Sequence, residues 1–149
     1  MQLIDLLTAD DVVFGIREAD VAAAAARLLR ATLPHHGVVP AEVERLVEAV
    51  LARERETPTL CGAIAIPHAR DARVNEFIVS IAVNPDGVVE GPAAPRVLIA
   101  FLSPETRRNE HLDLLARLAR LSRDHAAISA IAAAKEAKAV LDVIRERPR

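Results

Sequence analysis

Apolar positions along this chain change period several times, and the changes mark out alternating strands and helices. Val12, Val13, Phe14 and Ile16 form a short β-branched and aromatic run of the kind a strand buries. Asp20 follows as an N-cap, and the alanine-rich stretch behind it predicts a helix to about Leu33, with Ala24, Leu28 and Leu29 on one face. Pro34 closes that helix. A second helix is expected to start near Pro40, a residue tolerated in a first turn, and to end near Arg55. Val43, Leu46, Val47, Val50 and Leu51 recur along it at helical spacing.

The middle of the chain reads differently. Ile64 to Ile66 is a buried strand that Pro67 should stop, because proline removes a backbone donor and holds the residue before it extended. His68 would then stand at a strand end, on a rigid support. Two further strands are expected over Glu76 to Val83 and Val97 to Leu102, and Asn84-Pro85-Asp86-Gly87 lies between them with turn chemistry. Ser103-Pro104 is expected to open a helical turn leading to a helix from about Asn109 to Leu121. Leu112, Leu115 and Ala119 would face the core there, with His111 on the flank of that stripe in the first turn. Asp124 and the segment Lys135 to Arg145 predict two final helices, the latter with Val140, Leu141 and Ile144 facing inward. No linker or repeat interrupts the pattern. Residues 1–149 therefore read as a single α/β domain, a mixed β-sheet flanked by α-helices.

Composition narrows what such a domain does. The chain is 52% hydrophobic, but no apolar run approaches the roughly 18 residues that suggest a membrane span, so direct membrane insertion is not expected. The start, MQLIDLLTADD, lacks the flank and apolar segment of a secretory signal, and the one cysteine excludes an internal disulfide. The expected location is cytoplasmic. With 19 basic against 21 acidic side chains, no net positive field favours nucleic acid. Trp and Tyr are absent, and Phe14, Phe77 and Phe101 sit in apolar runs that core packing explains. Nucleic acid is therefore not an expected partner.

The candidate chemistry rests on two histidines. A histidine at a strand end can offer one imidazole nitrogen to a reacting group while a hydrogen bond orients the other, which makes His68 a candidate nucleophile. A helix N-terminus favours anions, so phosphate beside His111 would meet both a donor and a favourable dipole. Arg70 and Arg73, close to His68, are candidates to compensate phosphate charge, whereas Arg117, Arg120 and Arg123 read as a solvated helix face. Cys61 reads as a small buried residue. His35, His36 and His125 read as surface histidines, and no His or Cys spacing suggests a metal site. A serine hydrolase lacks support, because no Gly-x-Ser-x-Gly elbow frames Ser80 or Ser103.

The stretch Ile64-Ala65-Ile66-Pro67-His68, followed by His111-Leu112 and then Leu115-Ala116 and Leu118-Ala119, resembles the fructose/mannitol-type IIA domain of the bacterial phosphotransferase system. The stand-alone nitrogen-regulatory IIA proteins are especially similar. The likeness runs from Leu3-Ile4-Asp5-Leu6-Leu7 through the helical tail. It implies the type-2 IIA fold and a phosphotransferase component that needs no cofactor. In this reading His68 accepts a phosphoryl group from an HPr-type carrier and passes it to the cysteine of a IIB-type domain, or the phosphoryl group serves as a regulatory signal. The resemblance also implies that His111 helps to hold the phosphoryl group and that Arg53 lies near it, which with Arg70, taken for its closeness to His68, gives the candidate phosphate-binding residues. One segment departs from the family pattern: Pro58-Thr59-Leu60-Cys61-Gly62-Ala63 stands where Thr-Gly-Ile-Gly-Asn-Gly is common. The expectation is that side chains at Thr59, Cys61 and Ala63 replace a close backbone approach to phosphate and change donor affinity. The alternative reading is a degenerate regulatory binding module that is not phosphorylated. Neighbouring IIB and IIC genes would mark transport, and HPr-like or nitrogen-sigma-factor genes would mark regulation.

Overall fold

A computed structural model of the chain describes residues 2–147. Its strands are β1 (Val12–Phe14), β2 (Leu60–Cys61), β3 (Ile64–Ala65), β4 (His68–Asp71), β5 (Ile78–Val83) and β6 (Val97–Pro104). Its helices are α1 (Val21–Thr32), α2 (Pro40–Glu56), α3 (Arg108–Ser122), α4 (His125–Ala133) and α5 (Ala137–Arg145). Short 3-10 turns at Leu3–Leu6, Ala9–Asp11 and Leu33–His36 complete the order, the last carrying the chain past Pro34 in place of an abrupt stop. Asp20 caps α1 as expected, accepting from the Ala23 N–H at 2.8 Å. Asp124 does the same for α4 through Ala127, and Pro40 opens α2.

The sheet is mixed, in the order β1-β5-β6-β3-β2, with β4 also against β6. β6 is the spine: all eight of its residues are buried, as for a strand covered on both faces. On one side it pairs antiparallel with β5, from Ile78 opposite Leu102 to Val83 opposite Val97. On the other it pairs parallel with β3 and then β4.

Side-chain alternation along β6 divides the core into two layers. Leu98, Ala100 and Leu102 meet α1 and α2 through residues such as Leu28, Leu46 and Val50. Val97, Ile99 and Phe101 meet α3 to α5 through Leu114, Leu118, Ile128 and Ile144. The fold is thus a mixed sheet between two helical layers. Among the described residues no helix is long and apolar enough to cross a membrane.

Three local expectations are corrected here. Pro67 interrupts the strand, since β3 ends at Ala65, but it does not finish it, because β4 begins at His68. Ala65 stands opposite Leu98 and His68 opposite Phe101, so the line resumes in the same register after two unladdered residues. Ser103 and Pro104 do not start a helix. They extend β6 opposite Arg70 and Asp71, beyond the start of β5, where the missing proline donor faces no partner strand. The phase of α3 is also shifted by one residue: its buried line is His111, Leu114, Leu118 and Leu121, whereas Leu112 is 52% exposed. The buried face carries its histidine within it, where a hydrophobic count does not look.

This phase makes a direct prediction. Leu114→Ala should lower unfolding free energy by about 2–5 kcal/mol, while Leu112→Ala should stay within about 0.5 kcal/mol of the parent. Urea denaturation of both variants checks it; equal losses would refute the observed phase.

Candidate active site

His68 is held by its own strand. The N–H of Ile66 donates to Thr59 and the carbonyl of Pro67 accepts from Phe101, so the break between β3 and β4 remains tied on both sides. The Ile66 carbonyl turns to the imidazole instead, 2.7 Å from His68 Nδ1. A carbonyl only accepts, so Nδ1 carries the proton and Nε2 keeps a lone pair. Ile64 and Ile66 face the α3 layer, and period two carries His68 to the same side across Pro67. There its ring lies flat on Phe101, with centroids 5.0 Å apart and planes 8° from parallel.

α3 brings the second imidazole to this platform. The His111 ring lies 5.3 Å from that of His68 and 5.2 Å from Phe101. Its Nδ1 is 2.5 Å from the hydroxyl of Ser103, which alternates onto the same face of β6 as Phe101. Both histidines are buried, His68 with 5% and His111 with 7% of its surface exposed. They border an open cleft of about 320 Å³, whose other charged lining is Arg53 and Glu56 from α2, Arg70 from β4, and Glu105.

Burial chiefly lowers the pKa of His68. The Ile66 hydrogen bond opposes that shift, the Arg53 charge adds to it and the Glu54 charge opposes it. His111 is pushed down to about 4, mainly by burial and then by His68, Arg70 and Arg53. At neutral pH the cleft therefore holds two uncharged imidazoles, and His68 keeps the lone pair a nucleophile needs.

The cleft brings His68, His111, Arg53 and Arg70 together. Arg73 lies elsewhere, paired with Asp71 at 2.9 Å and Glu42 at 3.3 Å. The altered segment also takes a different role from the one expected. Cys61 and Ile64 close a tight hairpin whose turn contains Gly62 at φ +59. Cys61 is partly exposed, not buried, and its sulfur lies 3.5 Å from the Ser122 hydroxyl. Ser122 ends α3, about 16 Å along the helix from His111 at 1.5 Å per residue. Thr59 is engaged by Glu54, which accepts from its N–H at 3.0 Å and its hydroxyl at 2.6 Å. These side chains shape the approach to β3 and do not line the cleft.

His35, His36 and His125 are exposed, although His36 Nε2 reaches the buried carboxylate of Asp11 at 2.6 Å. Sequence reasoning missed the roles of Glu56, Glu105, Phe101 and Ser103 in the site. Glu56 follows Arg53 at i+3 on α2, a spacing that could have signalled it. Ser103 carried no signal, because its function depends on β6 extending past Leu102.

The fold and this paired-histidine cleft define a type-2 IIA domain. The chain belongs to the family described as phosphoenolpyruvate-dependent sugar phosphotransferase system, EIIA 2, whose sequence profile matches residues 5–147. Among solved structures, the mannitol IIA of Escherichia coli is similar at 26% identity and a TM-score of 0.76, over 93% of this chain and 98% of that one. A complex of the Escherichia coli mannitol enzyme IIA with phosphorylated enzyme IIB aligns at 26% identity and a TM-score of 0.75, over 95% of this chain and 98% of the solved one. The nitrogen regulatory protein IIA-Ntr of Neisseria meningitidis shares the fold at 20% identity and a TM-score of 0.77, over 95% of this chain and 98% of that one. No curated protein sequence gives a significant match.

The lowered histidine pKa values predict a pH dependence with a definite sign. Between the unfolded value of about 6.5 and the folded value of about 4 for His111, the unfolded chain binds more protons. Stability contributed by the neutral imidazoles is thus complete above that window and is lost as pH falls through it. Denaturation at pH 7 and pH 5, with imidazole NMR titration, checks this. A His111 signal that titrates at or above about 6.5 would contradict it.

Proposed function

We propose that the protein is a phosphohistidine carrier that accepts a phosphoryl group on Nε2 of His68 from an HPr-type protein and donates it to a IIB-type partner. The observation that carries the reading is the 2.7 Å bond from His68 Nδ1 to the Ile66 carbonyl, which leaves Nε2 unprotonated beside His111 in the cleft. In the transfer, the Nε2 lone pair forms a nitrogen–phosphorus bond as the bond to the donor's imidazole breaks. No proton moves, because Nδ1 already carries the one that the phosphorylated ring keeps. Passing the group on reverses the step: an acceptor thiolate attacks phosphorus and Nε2 recovers its lone pair. The transition state is loose and spreads charge over the equatorial oxygens, so positioned donors supply most of the stabilisation. His111 is the buried donor beside His68, and Arg53 and Arg70 add positive charge along the cleft.

The family assignment supports the phosphotransferase role, and the mannitol IIA–IIB complex supports a IIB-type partner. A phosphoryl group at this mouth adds charge and acceptor oxygens, so a protein docking there could read it as a regulatory signal by the same chemistry.

Incubation with phosphoenolpyruvate, the general phosphotransferase enzyme and an HPr-type carrier should label the protein with one acid-labile phosphoryl group. His68→Ala should abolish labelling. His111→Ala should slow it by about 10² or more without loss of the folded circular dichroism spectrum. Labelling that persists in His68→Ala moves the site; none in the parent with several carriers supports the unphosphorylated binding module.

A further inference from the structure

The side chain of Ser103 is completely buried at the end of β6, 2.5 Å from His111 Nδ1. Its hydroxyl has one proton to give, and among the described residues its only hydrogen-bond partner is that nitrogen. Two arrangements are conceivable. If His111 donated to Ser103, the hydroxyl proton would be stranded in a site closed to water. If Ser103 donates, the hydroxyl proton and the imidazole lone pair satisfy each other. The second arrangement also settles the far side of the ring: with Nδ1 accepting, a neutral imidazole must carry its proton on Nε2.

We infer that Ser103 is a positioning residue that fixes His111 as the Nε2–H tautomer, turning a neutral imidazole into a hydrogen-bond donor for the phosphoryl group on His68. The inference rests on the carrier reading for its use, though not for the tautomer itself. The two histidines are thereby set in opposite states by their hydrogen-bond partners. The Ile66 carbonyl makes His68 a lone-pair nucleophile at Nε2, and the Ser103 hydroxyl makes His111 a donor at Nε2. The lowered pKa of His111 gives the tautomer its importance. An imidazolium would donate from both nitrogens whatever its neighbours, whereas the neutral ring donates from only one. In the wrong tautomer, His111 would present a lone pair to the phosphoryl oxygens.

Side-chain 15N NMR of the unphosphorylated protein at pH 7 tests this directly. His111 in the parent should show a protonated Nε2 and an unprotonated Nδ1. Ser103→Ala should move both signals toward a mixture of tautomers and slow labelling of His68 by about tenfold or more. Ser103→Thr, which keeps a hydroxyl on a β-branched strand residue, should return both toward the parent. Melting curves separate these effects from unfolding. A parent with protonated Nδ1 at His111 overturns the inference without any variant, and so does a folded Ser103→Ala protein with parental signals and rate. Absence of labelling in the parent, with the expected tautomer signals intact, counts against the carrier reading and leaves the Ser103 assignment standing.

Discussion

The hydrogen bond between the Ile66 carbonyl and His68 Nδ1 is the constraint around which the cleft is arranged. It exists because the strand skips two ladder positions at Ile66 and Pro67 without losing register against β6. A continuous ladder would spend backbone groups on the neighbouring strand; the break frees a carbonyl to bond the side chain two residues on. The same bond fixes the tautomer and the plane of the ring. Phe101, directly opposite in the register, supplies the flat surface on which that plane rests. Rotating the ring would sacrifice the hydrogen bond and the stacked contact together, so the imidazole proposed as nucleophile is held in place before any partner arrives.

His111 comes to the site by a different route. It occupies a buried position in the line that contains Leu114, Leu118 and Leu121, so the apolar burial of α3 carries an imidazole to the sheet with it. Full burial of a leucine is worth about 1.5–3 kcal/mol, enough for the three together to hold a polar group at the interface provided it finds a partner there. Ser103 is that partner. The position of the second histidine thus follows from core packing, and its orientation from one buried hydroxyl.

Much of this was legible in the sequence. The Ile-Pro-His run, the caps at Asp20 and Asp124 and the turn at Asn84 each carry local information that the three-dimensional fold respects. The misreadings share a physical cause, in that long-range pairing overrode local chemistry. Ser103-Pro104 has the composition of a helix start, but β4 offers it a ladder. Leu112 invites burial, yet His111 takes the inward position because a serine across the interface accommodates it. The segment Thr59–Ala63 differs from its family where glycines are usual, but whether such side chains reach the site depends on which way the hairpin points. Here Cys61 points to Ser122 at the far end of α3.

The charges around the cleft decide which donor dominates. Arg53 and Arg70 line the cleft together with Glu56 and Glu105, so a phosphoryl group carried on His68 as proposed would meet both signs of charge. Arg70 and both carboxylates are exposed, and Arg53 is partly so. Water and salt screen such charges, and the opposing signs cancel much of what remains. For a carrier this balance is useful. A strongly positive cleft would hold the phosphoryl group in the ground state as tightly as in the transition state, slowing its departure without helping the chemistry. In the proposed transfer, stabilisation specific to the transition state falls instead to the group that is buried, fixed and uncharged. A single N–H from the buried ring of His111 would gain strength from the lowered local dielectric without adding a net charge that would trap the phosphate.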